Sequence, residues 1–345
     1  MPKKLTARAI GLTLTGAVIG AGFASGQEIQ HFFMNYGRMA VGGAVVTILV
    51  FIAFSGWLAT YCKRQQLKTL TELLIRLAGE RVGGSFLHLL NLFMWFGLTV
   101  MLAGSATLLT EVCRLPRPTG ALLTAMLVYL VCRGQVASLA AANELLLPLL
   151  LFLMFFFLLR STGTPRASTL VVATDSRWWF WSALLYMGSN SAILLAIMAP
   201  LIAEAADSRS IWQGVLLAAG LLLCLLVAII FLLSKYADIC SLGDMPMLYI
   251  SRYLLPNLPW LYGVLLFIAL ITTAFANALS ISKYLQQTLP KAANFALLVV
   301  ILAASYVAQR GFGRLVATLY PLTGYFCLAF YGISCLHQIR SFDRH

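Results

Sequence analysis

The sequence predicts an all-α integral membrane protein of about ten transmembrane helices. Two observations carry that expectation. The 345 residues are 61% hydrophobic and 10% charged, with a mean hydropathy of +0.90, whereas a soluble domain carries roughly 25% charged residues. The apolar residues also fall into runs that match the ~20 residues needed to cross a bilayer, with short polar connections between them.

In chain order, spans are expected at about 7–34, 39–61, 84–112, 119–133, 139–160, 178–205, 211–234, 257–286, 292–309 and 315–337. The first follows Lys3, Lys4 and Arg8 and continues well past a signal-peptide core, so it reads as a span and not as a cleaved leader. The second closes at Lys63 and Arg64. Between the second and third, 67–80 (LKTLTELLIRLAGE) has helical periodicity and reads as a short surface helix. The fourth span is short. A Ser/Thr/Gly/Pro loop at 161–177 follows the fifth. The longest late connection, 235–256, carries Asp238, Asp244, Pro246 and Pro256.

The net charge of +13 reports orientation, not a nucleic-acid partner, because the basic residues sit in short loops. With the amino terminus cytoplasmic, Lys3, Lys4, Arg8, Lys63, Arg64, Lys68, Arg76 and Arg81 fall on the cytoplasmic side in the first two segments. The first two opposite loops hold Arg38, Arg114 and Arg117. That bias puts both termini in the cytoplasm, and an even number of spans satisfies it. The localisation expected is the cytoplasmic membrane. The cysteines at 62, 113, 132, 224, 240, 327 and 335 show neither disulfide nor metal spacing. Oligomeric state is not legible.

The most informative stretch is 16–28, GAVIGAGFASGQE. Gly16, Gly20, Gly22 and Gly26 interrupt an apolar run, and each glycine costs a helix about 1 kcal/mol relative to alanine. Ser25, Gln27 and Glu28 add polar groups at bilayer depth. Unwound backbone there cannot face lipid and must line an enclosed cavity, which is how secondary transporters build a solute site. Gly20, Ala21, Gly22, Phe23, Ala24, Ser25 and Gly26 are therefore candidate solute-binding positions. Glu28 is a candidate gating or coupling carboxylate, since an acid near the bilayer centre is costly. Close helix packing through small residues is the alternative for the glycines.

Ten spans suggest two five-helix halves, 7–160 and 178–337, the second inverted. Span six should then echo span one. Gly188, Ser189 and Asn190 lie near its middle, so a second discontinuity is expected there, with Tyr186 beside it as a further binding candidate. This repeat is argued from position, because the two spans are not alike in sequence.

The stretch GAVIGAGFASGQEIQHFF resembles the first span of the YkvI-type bacterial membrane proteins, grouped with amino acid permeases. It also resembles the amino acid–polyamine–cation superfamily with its LeuT-like fold, whose first span carries a G-x-[IV]-G-x-G core. The resemblance implies two inverted five-helix repeats and a pocket between broken spans one and six, walled by spans three and eight. It also implies a sodium site: first-span carbonyls at Gly16 and Ile19 facing Ala269, Thr272 and Thr273 of span eight. Those three have i, i+3, i+4 spacing and share one helix face. Phe23 stands where some relatives place an asparagine for a second ion, which speaks against a second site. Span five has no lysine of the kind that proton-coupled relatives use, which favours sodium over protons.

The function expected is symport of a small zwitterion, an amino acid, by alternating access, with no cofactor beyond that sodium ion. A sensor built on a transporter fold is the alternative. An enzyme is not expected, since His31, His88, His337 and His345 are dispersed and form no catalytic set.

Overall fold

The computed structural model describes residues 4–133, 139–163, 176–258 and 260–342; of 139–147, 176 and 340–342 only the backbone is described. Most of the loop at 161–177 lies outside these residues, as do Lys3, Arg166, Arg344, His345 and the side chain of Glu144. The described chain is helical. Span one is three pieces: α1 (Ala7–Val18), α2 (Ala21–Ser25) and α3 (Gln27–Phe32). The remaining elements are α4 (Met39–Arg64), α5 (Leu70–Cys113), α6 (Arg117–Arg133), α7 (Leu139–Thr162), α8 (Trp179–Ala203), α9 (Ser208–Lys235), α10 (Ala237–Cys240), α11 (Pro246–Leu254), α12 (Leu261–Thr288), α13 (Ala293–Ala308) and α14 (Phe312–Phe342). Each expected span coincides with one of these elements. Among them α4, α5, α8, α9, α12 and α14 are each long and apolar enough to cross a bilayer unaided.

Local chemistry sets the boundaries. The expected surface helix is the start of α5. Thr69 and Glu72 close a capping box there, and the chain kinks at Gly79 (φ 80°, ψ 167°) before the span proper. Asp207 caps α9, its Oδ1 accepting from the Ser210 amide at 2.7 Å. The Ser210 hydroxyl and amide hold that exposed carboxyl below the usual carboxylate range.

The helices pack as two bodies. One holds α1, α4, α8 and α9, with α1 lying along α9 and α4 against both α8 and α9. The other holds α5, α6, α12 and α13. α14 bridges them, touching α8 on one side and α5 on the other. A backbone clasp fixes α1 to its body: the Leu5 amide donates to the Glu204 carbonyl at 2.9 Å, and the Ala206 amide to the Leu5 carbonyl at 3.2 Å. The α1–α9 contact is backbone-close, since a Cβ on Gly214 would sit 2.7 Å from Ile10 Cγ2 and 3.0 Å from the Ala7 carbonyl. Small residues permit such approach between membrane helices. Gly214→Leu is therefore expected to push α1 off α9 and lower the melting temperature in detergent by several degrees, whereas Gly220→Leu, which meets nothing within 4 Å, should not.

The structure corrects one expectation. Span six is not interrupted: α8 runs from Trp179 to Ala203 without a break. Gly188, Ser189 and Asn190 lie within it. Their polar neighbours bond back onto the helix, Ser189 Oγ and Asn190 Nδ2 to the Tyr186 carbonyl (2.8 and 2.9 Å) and Ser191 Oγ to the Gly188 carbonyl (2.5 Å). This is the local side-chain-to-backbone bonding available to serine and asparagine inside helices. Gly188 serves contact with α14, its Cβ position lying 3.0 Å from the Gly324 carbonyl.

Candidate functional site

The break in span one is short and sharply placed. α1 ends at Val18. Ile19 (ψ 86°) leaves the helical conformation, Gly20 (φ −89°, ψ 179°) is extended, and α2 then starts with no side-chain cap. Helix ends leave backbone donors and acceptors without intrahelical partners, so two such ends meet here inside the protein. Ala21, Gly22, Phe23, Ala24 and Ser25 are all buried. A second bend follows at Gly26, whose left-handed backbone (φ 79°) passes between α2 and α3. A Cβ there would lie 2.8 Å from Met247 Cγ.

Side chains from far along the chain fasten α2 and α3. The Tyr262 hydroxyl of α12 donates to the Ala24 carbonyl at 2.5 Å. Ser25 Oγ donates to the Gly22 carbonyl (2.8 Å) and accepts the Gln27 amide (3.2 Å). Ser182 Oγ of α8 donates to the Phe32 carbonyl at 2.7 Å. The buried helix α11, part of the connection at 235–256, packs over α2.

Glu28 is 4% exposed. Its side chain folds back towards the break, so that a Cβ on Gly22 would collide with Glu28 Oε1. The Tyr320 hydroxyl of α14 lies beside this carboxyl. Tyr186 is packed against Phe32 and Phe33, ring centroids 5.3 and 5.1 Å away. Tyr186 also shares a small hollow with Val18, Phe23, Thr47 and Asn190. The structure thus gathers Gly22, Phe23, Glu28, Tyr186 and Asn190 around the break. Tyr320 and Tyr262 had no sequence signal of their own; the nearest to one is Tyr320-Pro321 inside an apolar run.

The two ends of this site differ. On the side of the amino terminus, α1 scarcely touches α12. Its free face is Ala9, Thr13 and Gly16, with Thr13 and Gly16 exposed, and no atom lies within 4 Å of a Cβ placed on Gly16 or on Gly20 in the break. On the carboxyl half of α12, Ala276, Ser280, Lys283 and Gln287 are exposed, and Thr273 and Asn277 half-buried. The opposite face of α12 exposes Val264 and Ile268. Both stripes are small or polar, and nothing packs on α1 at Gly16. On the other side α3, α8, α11 and α14 close over Glu28.

Gly16 is consequently not packed on Ala269, Thr272 and Thr273. The Thr272 hydroxyl donates to the Ile268 and Ala269 carbonyls (2.9 and 3.2 Å), which leaves its lone pairs to accept.

No protein-family model matches the chain. It is 29% identical over 334 residues, 95% of each chain, to the uncharacterized membrane protein YkvI of Bacillus subtilis (strain 168). It is 23% identical over 330 residues to the uncharacterized protein YyaD of the same organism. Among solved structures, the inward-facing conformation of Mhp1 matches with a TM-score of 0.66 at 15% identity, covering 96% of this chain and 76% of that one. A mutant of the Eremococcus coleocola manganese transporter matches with a TM-score of 0.58 at 12% identity, covering 95% and 78%. The fold is that of LeuT-type membrane transporters. These neighbours are transporters and not enzymes.

Proposed function

We propose that this chain is a secondary transporter of a small zwitterionic solute, an amino acid, driven by sodium. The observation that carries the reading is the span-one break, held inside the protein with open space on one side and a seal on the other. Alternating access needs such a site. The solute lies at the break, between Gly20–Gly26, Tyr186 and Asn190. Its carboxylate meets amides at the start of the second half-helix, where backbone donors point outward. The chain has both termini in the cytoplasm of a bacterial-type inner membrane, so the water-lined side is the inner one and the conformation faces inward. The body of α1, α4, α8 and α9 rocks against that of α5, α6, α12 and α13.

Sodium binds in the outward-facing state, when Gly16 and Ile19 approach Ala269, Thr272 and Thr273. Two hydroxyls and several carbonyls are hard oxygen ligands suited to such a cation. Glu28, beside Tyr320 under the closed side, couples solute binding to the gate. A divalent metal cargo fits less well, because no group of three His, Cys, Asp or Glu gathers among the described residues.

The test is uptake of radiolabelled amino acids into proteoliposomes under an imposed sodium gradient. Sodium-driven accumulation is expected, with Thr273→Ala raising the sodium concentration for half-maximal uptake at least tenfold. Uptake driven by a proton gradient and indifferent to sodium would remove the ion site. Solute binding without uptake would turn the reading into a sensor.

A further inference from the structure

We infer that Glu28 is the amine-recognising subsite, so that the solute must carry a protonated amine, while its carboxylate is dispensable for binding. This deepens the transporter reading and rests on it. Three observations carry it. The first is that span six frees no carbonyl at a break. Its carbonyls at Tyr186 and Gly188 are occupied by Ser189, Asn190 and Ser191 within an unbroken helix. In span one the Ala24 carbonyl is occupied by Tyr262 and the Gly22 carbonyl by Ser25.

The second is that Glu28 is a buried carboxyl with no cationic side chain beside it. Among the described residues no lysine, arginine or histidine lies within 4.0 Å of its carboxylate, whereas Arg252 and Glu111 do pair, at 3.7 Å. Buried charges are costly unless paired. A ligand that brings the opposite charge supplies what the protein withholds.

The third is the acceptor set. Glu28 lies near the Tyr320 and Tyr186 hydroxyls, and the Tyr186 hydroxyl, buried beside Asn190, makes no hydrogen bond of standard geometry. An alkylammonium has three N–H donors and no acceptor. One carboxylate and two phenolic oxygens match it donor for acceptor. The rings of Tyr186, Phe32 and Phe33 add faces that attract a cation. The carboxylate lies against Gly22, at the break itself, so the amine would sit where the solute is held.

The test uses the purified full-length protein in detergent, read by thermal shift and by intrinsic fluorescence. Matched probes are leucine, isoamylamine and 2-hydroxyisocaproate, extended to the other proteinogenic amino acids with their decarboxylated and 2-hydroxy counterparts. Amino acids and amines are expected to raise the melting temperature by several degrees, and the hydroxy acids by none. Glu28→Gln, which keeps the side-chain shape, should weaken amine binding at least a hundredfold; Glu28→Asp and Tyr186→Phe, each tenfold. If hydroxy acids bind as well as amines, or if Glu28→Gln binds amines as the wild type does, the assignment is overturned. Amine binding lost in Glu28→Gln without any uptake by wild-type proteoliposomes would keep this subsite and defeat the transporter reading. Uptake lost in Glu28→Gln with amine binding intact would overturn the subsite and leave transport standing.

Discussion

Gly22→Ala is expected to abolish uptake in proteoliposomes, at least a fiftyfold loss, while the protein still inserts, purifies as a single species and melts within a few degrees of wild type. The added Cβ would collide with Glu28 Oε1 and fall 2.7 Å from Glu28 Cδ. Those are the mobile end atoms of a long side chain, not backbone. The clash is therefore resolved by moving the carboxylate, and the fold survives. The move takes Glu28 off Tyr320 and away from the break. A double variant makes the cause explicit. In Gly22→Ala/Glu28→Ala the obstructing atoms are gone, so the two stability effects should fail to add, as expected for residues in contact, and uptake should stay absent. Additive stability effects would mean that the two residues do not touch. Gly26→Ala is the useful contrast. Its positive φ belongs to the backbone, so about 1–2 kcal/mol of stability should be lost through the left-handed conformation alone, before any cost of the Met247 side-chain contact.

How far the sequence reached follows from which forces are local. Apolar run length is local, and the spans were legible because every run must satisfy the same bilayer. The surface helix before span three was legible through its periodicity, and Thr69 and Glu72 show how it starts. The break in span one was legible as a glycine cluster. Its extent was not, because the two-residue gap at Ile19–Gly20 and the bend at Gly26 are set by α11, α12 and α14 packing on the short helices between them. Span six shows the reverse case. Gly188-Ser189-Asn190-Ser191 has the composition of a broken helix, and also of an intact one whose side chains bond to the preceding turn. What favours the intact form is remote in sequence: Gly324 packed on Gly188, and the Tyr331 hydroxyl donating to Ser191 Oγ at 2.7 Å. Tyr320 and Tyr262 were illegible for the same reason. Their importance comes from reaching Glu28 and Ala24, the latter across 238 residues.

Thiol labelling should separate the two faces of the site by more than tenfold. In a background with the seven native cysteines replaced, Thr13→Cys, Gly16→Cys and Ser280→Cys are expected to react rapidly with a membrane-impermeant maleimide in inside-out vesicles. Ser25→Cys and Ser182→Cys, at positions 0% and 8% exposed, should stay unreacted from either side. The first three lie on stripes that are exposed yet small or polar, a combination that bilayer-facing helix surface does not favour. In the inward-facing state proposed above they are wet. Sodium together with solute should slow Thr13→Cys and Ser280→Cys, because drawing α1 towards α12 narrows the space between the stripes. Ligand can shift this equilibrium only by its preference between the two states, so the size of the protection measures how strongly the ion favours the closed inner face. Reaction of the three only from the opposite side of the membrane would invert the topology and leave the cavity intact. No reaction from either side would mean that these faces of α1 and α12 meet lipid or protein and not water, and the inward-facing assignment would fall.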